Sequence, residues 1–476
     1  MSLPGRPKGE FRSAQHEGTP VSPGMSMNYL EPAAFEALAA ELLRADTAVD
    51  RSSLYLQAET SDFLRFNQAA LRQATTVQQA YLTIAVERGQ RRSESTLSLG
   101  GDLALDMQRL KAERALLIGQ LDLIADDPWL QRPTAATHSQ RDDRGALPEA
   151  GHVIACVHEA AALRLKQDLV GFYAAGPVAH AFADSLGSRH WHRVESFHFE
   201  WCLYHRADKA VKTVYAGTRW DDAAFAARLE DAARRVPLLA REPRTLQPGA
   251  YRAAFSPSAM VELLGTLGWS GFSLKARRTG VSSLMRLQRG EAAFATNFHL
   301  EEAFAQATTP AFTAEGFTRP ASVVLVDGGL LPASGGTLNS ARSAAEYGLQ
   351  ANGVDAGESP QALQLRGGNI ADAELLRALD TGLYISNLWY LNYSDRAACR
   401  MTGMTRYACF WVERGELVAP LNVMRFDDDA LRLFGSGLIG LTDTPEFIPN
   451  SDTYGARGLG SVTTPAALVE GFALTL

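Results

Sequence analysis

Thr402-Gly403-Met404-Thr405-Arg406, followed by Phe410-Trp411-Val412-Glu413-Arg414-Gly415-Glu416-Leu417-Val418-Ala419-Pro420, is the stretch on which the reading of this chain turns. Aromatic and β-branched residues flank Glu413-Arg414-Gly415-Glu416, which predicts two strands, Tyr407 to Val412 and Leu417 to Val423, joined by a tight hairpin. Thr402-Gly403 reads as a turn ahead of them. Further strands are predicted at Ser322 to Val326 and Leu383 to Leu391, with helical spacing at Pro257 to Leu267, Val281 to Gln288, Ala371 to Leu379 and Asp429 to Phe434. The region 250–476 is therefore expected to be a β-rich domain.

Upstream, the segment 237–249 carries three prolines and several charges and reads as a linker. The region 28–236 mixes both periodicities. Apolar residues at helical spacing predict helices at Glu31 to Arg44, Leu103 to Ile124, Val153 to Lys166 and Asp221 to Arg235. Strands are predicted at Ser53 to Glu59, Phe63 to Asn67, Gln79 to Val86, Leu169 to Tyr173, Ala179 to Ser185, His190 to Tyr204 and Ala210 to Ala216, with a loop over 126–148. This is an α+β domain around an antiparallel sheet. Residues 1–27, rich in Pro, Gly and Ser, read as a disordered tail with no apolar core of the kind a secretory signal requires.

The formal charge of -7, with no basic run beyond Arg91-Arg92 and Lys275-Ala276-Arg277-Arg278, argues against nucleic acid as a partner. No run of about 18 apolar residues is present, so no membrane span is expected. The four cysteines, Cys156, Cys202, Cys399 and Cys409, show no Cys-x-x-Cys spacing, which suits a reducing cytoplasm.

Several candidate sites fail on spacing. His158-Glu159 resembles the start of a zinc-peptidase helix, but Ala162 and Leu163 follow where a second ligand is needed. His190, His192, His198, Glu200 and Cys202 share one face of a strand, yet at ~3.3 Å per residue His192 and His198 stand about 20 Å apart. A polar strand face or subunit contact is the expected role, with Phe197, Phe199, Trp201 and Leu203 on the core side. Gly435-Ser436-Gly437-Leu438-Ile439-Gly440 fits the dinucleotide fingerprint but does not open a βαβ unit. No Gly-x-Ser-x-Gly elbow exists for a serine hydrolase.

Taken in order, Phe63 to Asn67, Gly171-Phe172-Tyr173 with Ala183-Asp184-Ser185-Leu186-Gly187, Ala314-Glu315-Gly316-Phe317-Thr318, the hairpin quoted above and the final strand in Pro465 to Leu474 resemble the TldD/PmbA family. The resemblance implies a two-domain fold, N-terminal α+β and C-terminal β-rich and barrel-like. It also implies a cytoplasmic member of a zinc peptidase acting on peptides or small unstructured proteins.

Catalytic members carry His-Glu-x-x-x-His on the helix that opens the C-terminal domain, and a late Cys completes the zinc site. The matching helix here, Ser258 through Trp269, keeps Glu262 but has no histidine. The only histidine after His205 is His299, and 445–465 contains no cysteine. The resemblance is thus to the PmbA/TldE-like type: no catalytic or metal residue in this chain, and zinc expected in a TldD-like catalytic partner. Trp389, Tyr390 and Tyr393, with Phe410 and Trp411, are the candidate lining for an extended peptide added to a strand. The alternative expectation is a homodimeric peptide-binding protein of the same fold that cleaves nothing.

Overall fold

A computed structural model describes residues 28–475, so the expected tail over 1–27 lies outside the described residues. The N-terminal region is built on a seven-stranded sheet. Its strands are β1 (Arg51–Asn67), β2 (Ala70–Arg88), β3 (Arg91–Ser98), β4 (His138–Asp143), β5 (Asp168–Asp184), β6 (Arg189–Arg206) and β7 (Lys209–Gly217). They lie in the order β3-β2-β1-β5-β6-β4, with β7 also pairing with β6. All pairs are antiparallel except β4 with β6.

Two pairs of expected strands are single long ones. β1 runs through Thr60-Ser61-Asp62 because these residues keep the ladder to Gln78, Val77 and Thr76 of β2, and the buried Ser61 hydroxyl is satisfied by donating to Glu59 (2.7 Å). β5 likewise runs unbroken from Asp168 to Asp184. The expected loop at 126–148 contains β4, whose alternation of polar residues gives no hydrophobic signal.

Helices α1 (Pro32–Leu42), α2 (Leu103–Gln120), α3 (Ala150–Val157) and α4 (Asp222–Arg235) cover one face of this sheet. Leu54, Leu56, Leu82, Ile84, Ala181 and Trp191 meet α1 and α2. Phe197, Phe199, Trp201 and Leu203, the expected core side of β6, meet α3 and α4. The helix predicted over 153–166 changes character: α3 gives way to a π-helical segment, His158–Arg164, closed by Leu165 N–H donating to Ala160 O.

The opposite face of the sheet is covered by the C-terminal region. His190 stacks on Phe312 at 4.9 Å, and His192 Nε2 donates to Thr308 O at 2.9 Å. The segment 237–249 is tied down: Leu239 is buried in the core beneath α3 and α4, Leu246 in the core of the C-terminal region, and Arg244 N–H donates to Pro420 O.

The C-terminal region supplies β8 (Gly249–Phe255), β9 (Leu300–Glu302), β10 (Val323–Val326), β11 (Ala362–Leu365), β12 (Gly382–Ile385), β13 (Asn387–Asp395), β14 (Arg400–Arg406), β15 (Phe410–Glu413), β16 (Glu416–Pro420), β17 (Arg425–Asp429), β18 (Leu438–Leu441), β19 (Glu446–Pro449), β20 (Ser461–Thr464) and β21 (Ala467–Leu474). One sheet has the order β13-β14-β17-β21-β8-β12-β15-β16, with β18 on β21; the other has the order β10-β9-β11-β20-β19. The α+β class is as expected, but both sheets are open and no barrel closes.

The decisive hairpin is present. Glu413 pairs with Glu416 across Arg414 (φ 51°) and Gly415 (φ 79°), the left-handed pair that a two-residue turn between twisted strands requires. Thr402-Gly403, expected as a turn, lies inside β14 opposite Asp427 and Phe426. A Cβ on Gly403 would sit 2.8 Å from the Phe426 ring, so glycine there serves close packing.

Candidate interdomain peptide site

Helix α5 (Pro257–Gly268) opens the C-terminal region as expected. Ser256 caps it by accepting Ala259 N–H and donates its own hydroxyl to Ser386 O at 2.6 Å. Met260, Leu263, Leu264 and Leu267 are buried, which fixes the helix's rotation and leaves Glu262 on its exposed side.

Spacing one before and four after Glu262 gives Val261 and Thr266 at the positions of the two family histidines. Val261 has no donor atom. Thr266 is buried, and its hydroxyl donates to Glu262 O at 2.8 Å, a bond within the helix itself. A zinc ion needs nitrogen, sulfur or carboxylate ligands, so this helix does not fit the metal that the family motif holds. The stretch 445–465, where the family's cysteine would lie, instead contributes Arg457, buried against the N-terminal sheet.

The charges acting on Glu262 come from the N-terminal sheet. Desolvation pushes its carboxyl above the ordinary range; Lys212 opposes this and Glu200 adds to it. Lys212 Nζ pairs with Glu200 at 2.7 Å across β6 and β7. Phe172 lies opposite Glu200 on β5, and Phe63 stacks on it at 5.8 Å. These side chains share the sheet face that farther along is covered by the C-terminal region. Nearby, Arg406 lies over Trp389 at 4.0 Å and over Tyr407 at 4.9 Å. The result is a group of mixed charge, Glu262 with Glu200 and Lys212, with aromatic side chains near it.

The five aromatics expected to line a peptide groove are not brought together. Trp389 and Tyr390 are 49% and 78% exposed, with rings 5.6 Å apart on edge strand β13. Tyr390 adopts φ 61° within a register irregularity between Trp389 and Asn392, a local strain that aims both rings outward. Tyr393 is anchored, its hydroxyl donating to Thr266 O at 2.7 Å and bonding Ser283 at 2.9 Å. Phe410 is 0% exposed in the core shared with Trp201 and Phe225, so it lines nothing. Trp411 packs edge-on to Tyr251 and under Arg244 at 4.4 Å. Glu200 and Lys212 were missed in the sequence reading as partners of Glu262. Their signal was the polar side of β6, but its pairing with β7 and approach to α5 are tertiary.

The histidines of β6 are held apart. His190 is bonded by Thr137 at Nε2 (2.9 Å) and Ser139 at Nδ1 (2.7 Å). Burial pushes His190, His192 and His198 down to about 4, so all three are neutral at ordinary pH. Burial likewise pushes the Cys202 thiol up to about 11 and the Cys399 thiol up to about 12, away from nucleophilic thiolate. Among the described residues no helix is long and apolar enough to cross a membrane.

Residues 248–476 match the model of the PmbA/TldA metallopeptidase C-terminal domain. No curated protein matches in sequence. The fold is similar to that of TldE from Thermococcus kodakarensis, at a TM-score of 0.76 and 13% identity over 93% of this chain and 100% of that one. It is also similar to proposed DNA gyrase modulators from Thermotoga maritima (TM-score 0.71, 13% identity, 93% and 100% covered) and Bacteroides thetaiotaomicron (0.68, 14%, 94% and 98%).

Proposed function

Because the chain belongs to the TldD/PmbA family, we propose that it is the TldE/PmbA-like subunit of a cytoplasmic zinc peptidase whose TldD-like partner supplies the metal and the hydrolytic step. The observation that carries this reading is helix α5, where Val261 and Thr266 flank Glu262 in place of imidazoles. Without ligands, Glu262 has no metal-bound water to activate. The chain's own contribution is to bind: a peptide or unstructured small protein adds its backbone to edge strand β13, with Trp389 and Tyr390 as hydrophobic contacts and Glu200, Lys212 and Glu262 setting charge preference.

The test is hydrolysis of an unstructured protein by this chain, by a TldD-like partner and by the two together. Activity is expected only when the partner is present, with this chain enhancing it and Glu262→Gln leaving the maximal rate intact. Hydrolysis by this chain alone, abolished by Glu262→Gln, would overturn the reading. A stable homodimer that binds peptide and ignores the partner would favour the non-cleaving binding protein instead.

A further inference from the structure

His152 and Cys156 stand one turn apart on α3, and Asp222 is the first residue of α4. Val153 and Val157, both fully buried, fix the rotation of α3 and place His152 and Cys156 together on its outer side. Asp222 is held just as firmly. Asp221 caps α4 by accepting Ala224 N–H at 2.8 Å, and Trp220 Nε1 donates to Asp222 Oδ1 at 2.6 Å. The Trp220 ring is in turn packed by Tyr215, Phe225 and Phe197 at 5.0, 5.2 and 5.3 Å.

The three ligand-type atoms converge. His152 Nε2 lies 2.8 Å from Asp222 Oδ1 and 3.3 Å from Cys156 Sγ, and that sulfur lies 3.5 Å from the same carboxylate oxygen. A tetrahedral ion with ordinary zinc bond lengths would hold such N, O and S atoms about 3.3 to 3.6 Å apart. The observed triangle needs only a slight opening to match. The arrangement is not that of a nucleophile relay, in which the carboxylate would hold one imidazole nitrogen and the sulfur the other. Here both meet Nε2.

We propose that His152, Cys156 and Asp222 form a binding site for a borderline-soft divalent cation of the zinc and cobalt class, independent of the group around Glu262. A nitrogen, sulfur and oxygen set disfavours magnesium and calcium, which take oxygen ligands. Trp220 is the outer partner that orients the carboxylate. The shallow cleft beside the cluster, bordered by Leu147, Pro148 and Glu149, leaves a fourth position to water or an outside ligand. Binding expels the Cys156 thiol proton, while the imidazole coordinates through Nε2 and carries its ring proton on Nδ1.

The experiment titrates the reduced full chain with Co2+ in the absence of oxygen, followed by competition with Zn2+. A sulfur-to-cobalt charge-transfer band with tetrahedral ligand-field bands is expected, saturating near about one equivalent and erased by zinc. Cys156→Ser should abolish the charge-transfer band, and Asp222→Asn or His152→Gln should weaken binding at least about tenfold. Cys202→Ser should change nothing, and circular dichroism confirms that each variant is folded. Absence of the sulfur band, or its survival in Cys156→Ser, overturns the proposal. The readout needs no partner and no hydrolysis, so it fails separately from the peptidase reading.

Discussion

The Arg457 guanidinium donates to both oxygens of Ser196, carbonyl and hydroxyl, each at 2.8 Å, binding a C-terminal loop to the middle of β6. The same side chain donates to Gly176 O at 3.0 Å, and its backbone N–H reaches Glu59 at 3.3 Å. Removing it strands buried acceptors on the sheet face that the C-terminal region covers. Arg457→Ala is expected to destabilise the protein by about 2 to 4 kcal/mol, read as a lower urea midpoint. An unchanged midpoint would show that the two regions are held by their apolar contacts alone.

Gly316 makes a second such contact. At φ 87° it lies against Phe182 of β5 so closely that a Cβ would stand 2.3 Å from the ring. Gly316→Ala combines a strained backbone with a clash against a fully buried aromatic, and a loss of about 2 kcal/mol or more is expected in thermal unfolding. Gly89→Ala is the control: it shares a positive φ of 59° but has nothing within 4 Å.

Two buried groups act oppositely on pH dependence. Glu302 accepts the Gln361 and Ala362 N–H groups at 2.9 Å, yet burial pushes its carboxyl up to about 7. The folded state holds that proton more tightly than the unfolded chain, so the group reduces stability as pH rises from about 4.5 to 7. Glu302→Gln should therefore gain on the parent across that range, by up to about 3 kcal/mol at pH 8. His192 is pushed down to about 4, so its contribution is lost as pH falls from about 6.5 through 4. His192→Gln should flatten that acid limb. Urea unfolding at several pH values measures both slopes; parallel curves for parent and variants would contradict the assignments.

The aromatics separate by experiment as they do by position. Trp389→Ala and Tyr390→Ala, at exposed sites on β13, should change stability by no more than about 0.5 kcal/mol. In the proposed complex with a TldD-like partner they should raise the apparent KM for an unstructured substrate several-fold. Phe410→Ala should instead cost about 3 to 5 kcal/mol, because it empties a fully buried site. If the β13 variants leave KM untouched, the peptide does not use that edge.

The hairpin at 413–416 was legible because its turn chemistry and flanking strands agree locally. Helix α5 was legible for the same reason, and the absence of imidazole needs no coordinates to read. Thr402-Gly403 misled because glycine serves both turns and close approaches, and only the Phe426 ring opposite distinguishes them. β4 was invisible because polar alternation is the pattern of a loop until His190 is seen bonded to Ser139. The Glu200, Lys212 and Glu262 grouping depends on strands and a helix distant in sequence. So does Asp222 beside His152 and Cys156, although the His-x-x-x-Cys spacing on one helix was there to be noticed.

The central position of β21 in the nine-stranded sheet bears on how the molecule comes into being. β21 lies between β17 and β8 and also pairs with β18, yet it leaves the ribosome after every other strand of that sheet. β8, made more than 200 residues earlier, must wait for its antiparallel neighbour. During translation one edge of β8 thus stays unpaired for tens of seconds at ordinary elongation rates. A nascent chain arrested before 467 should therefore remain protease-sensitive in the C-terminal region.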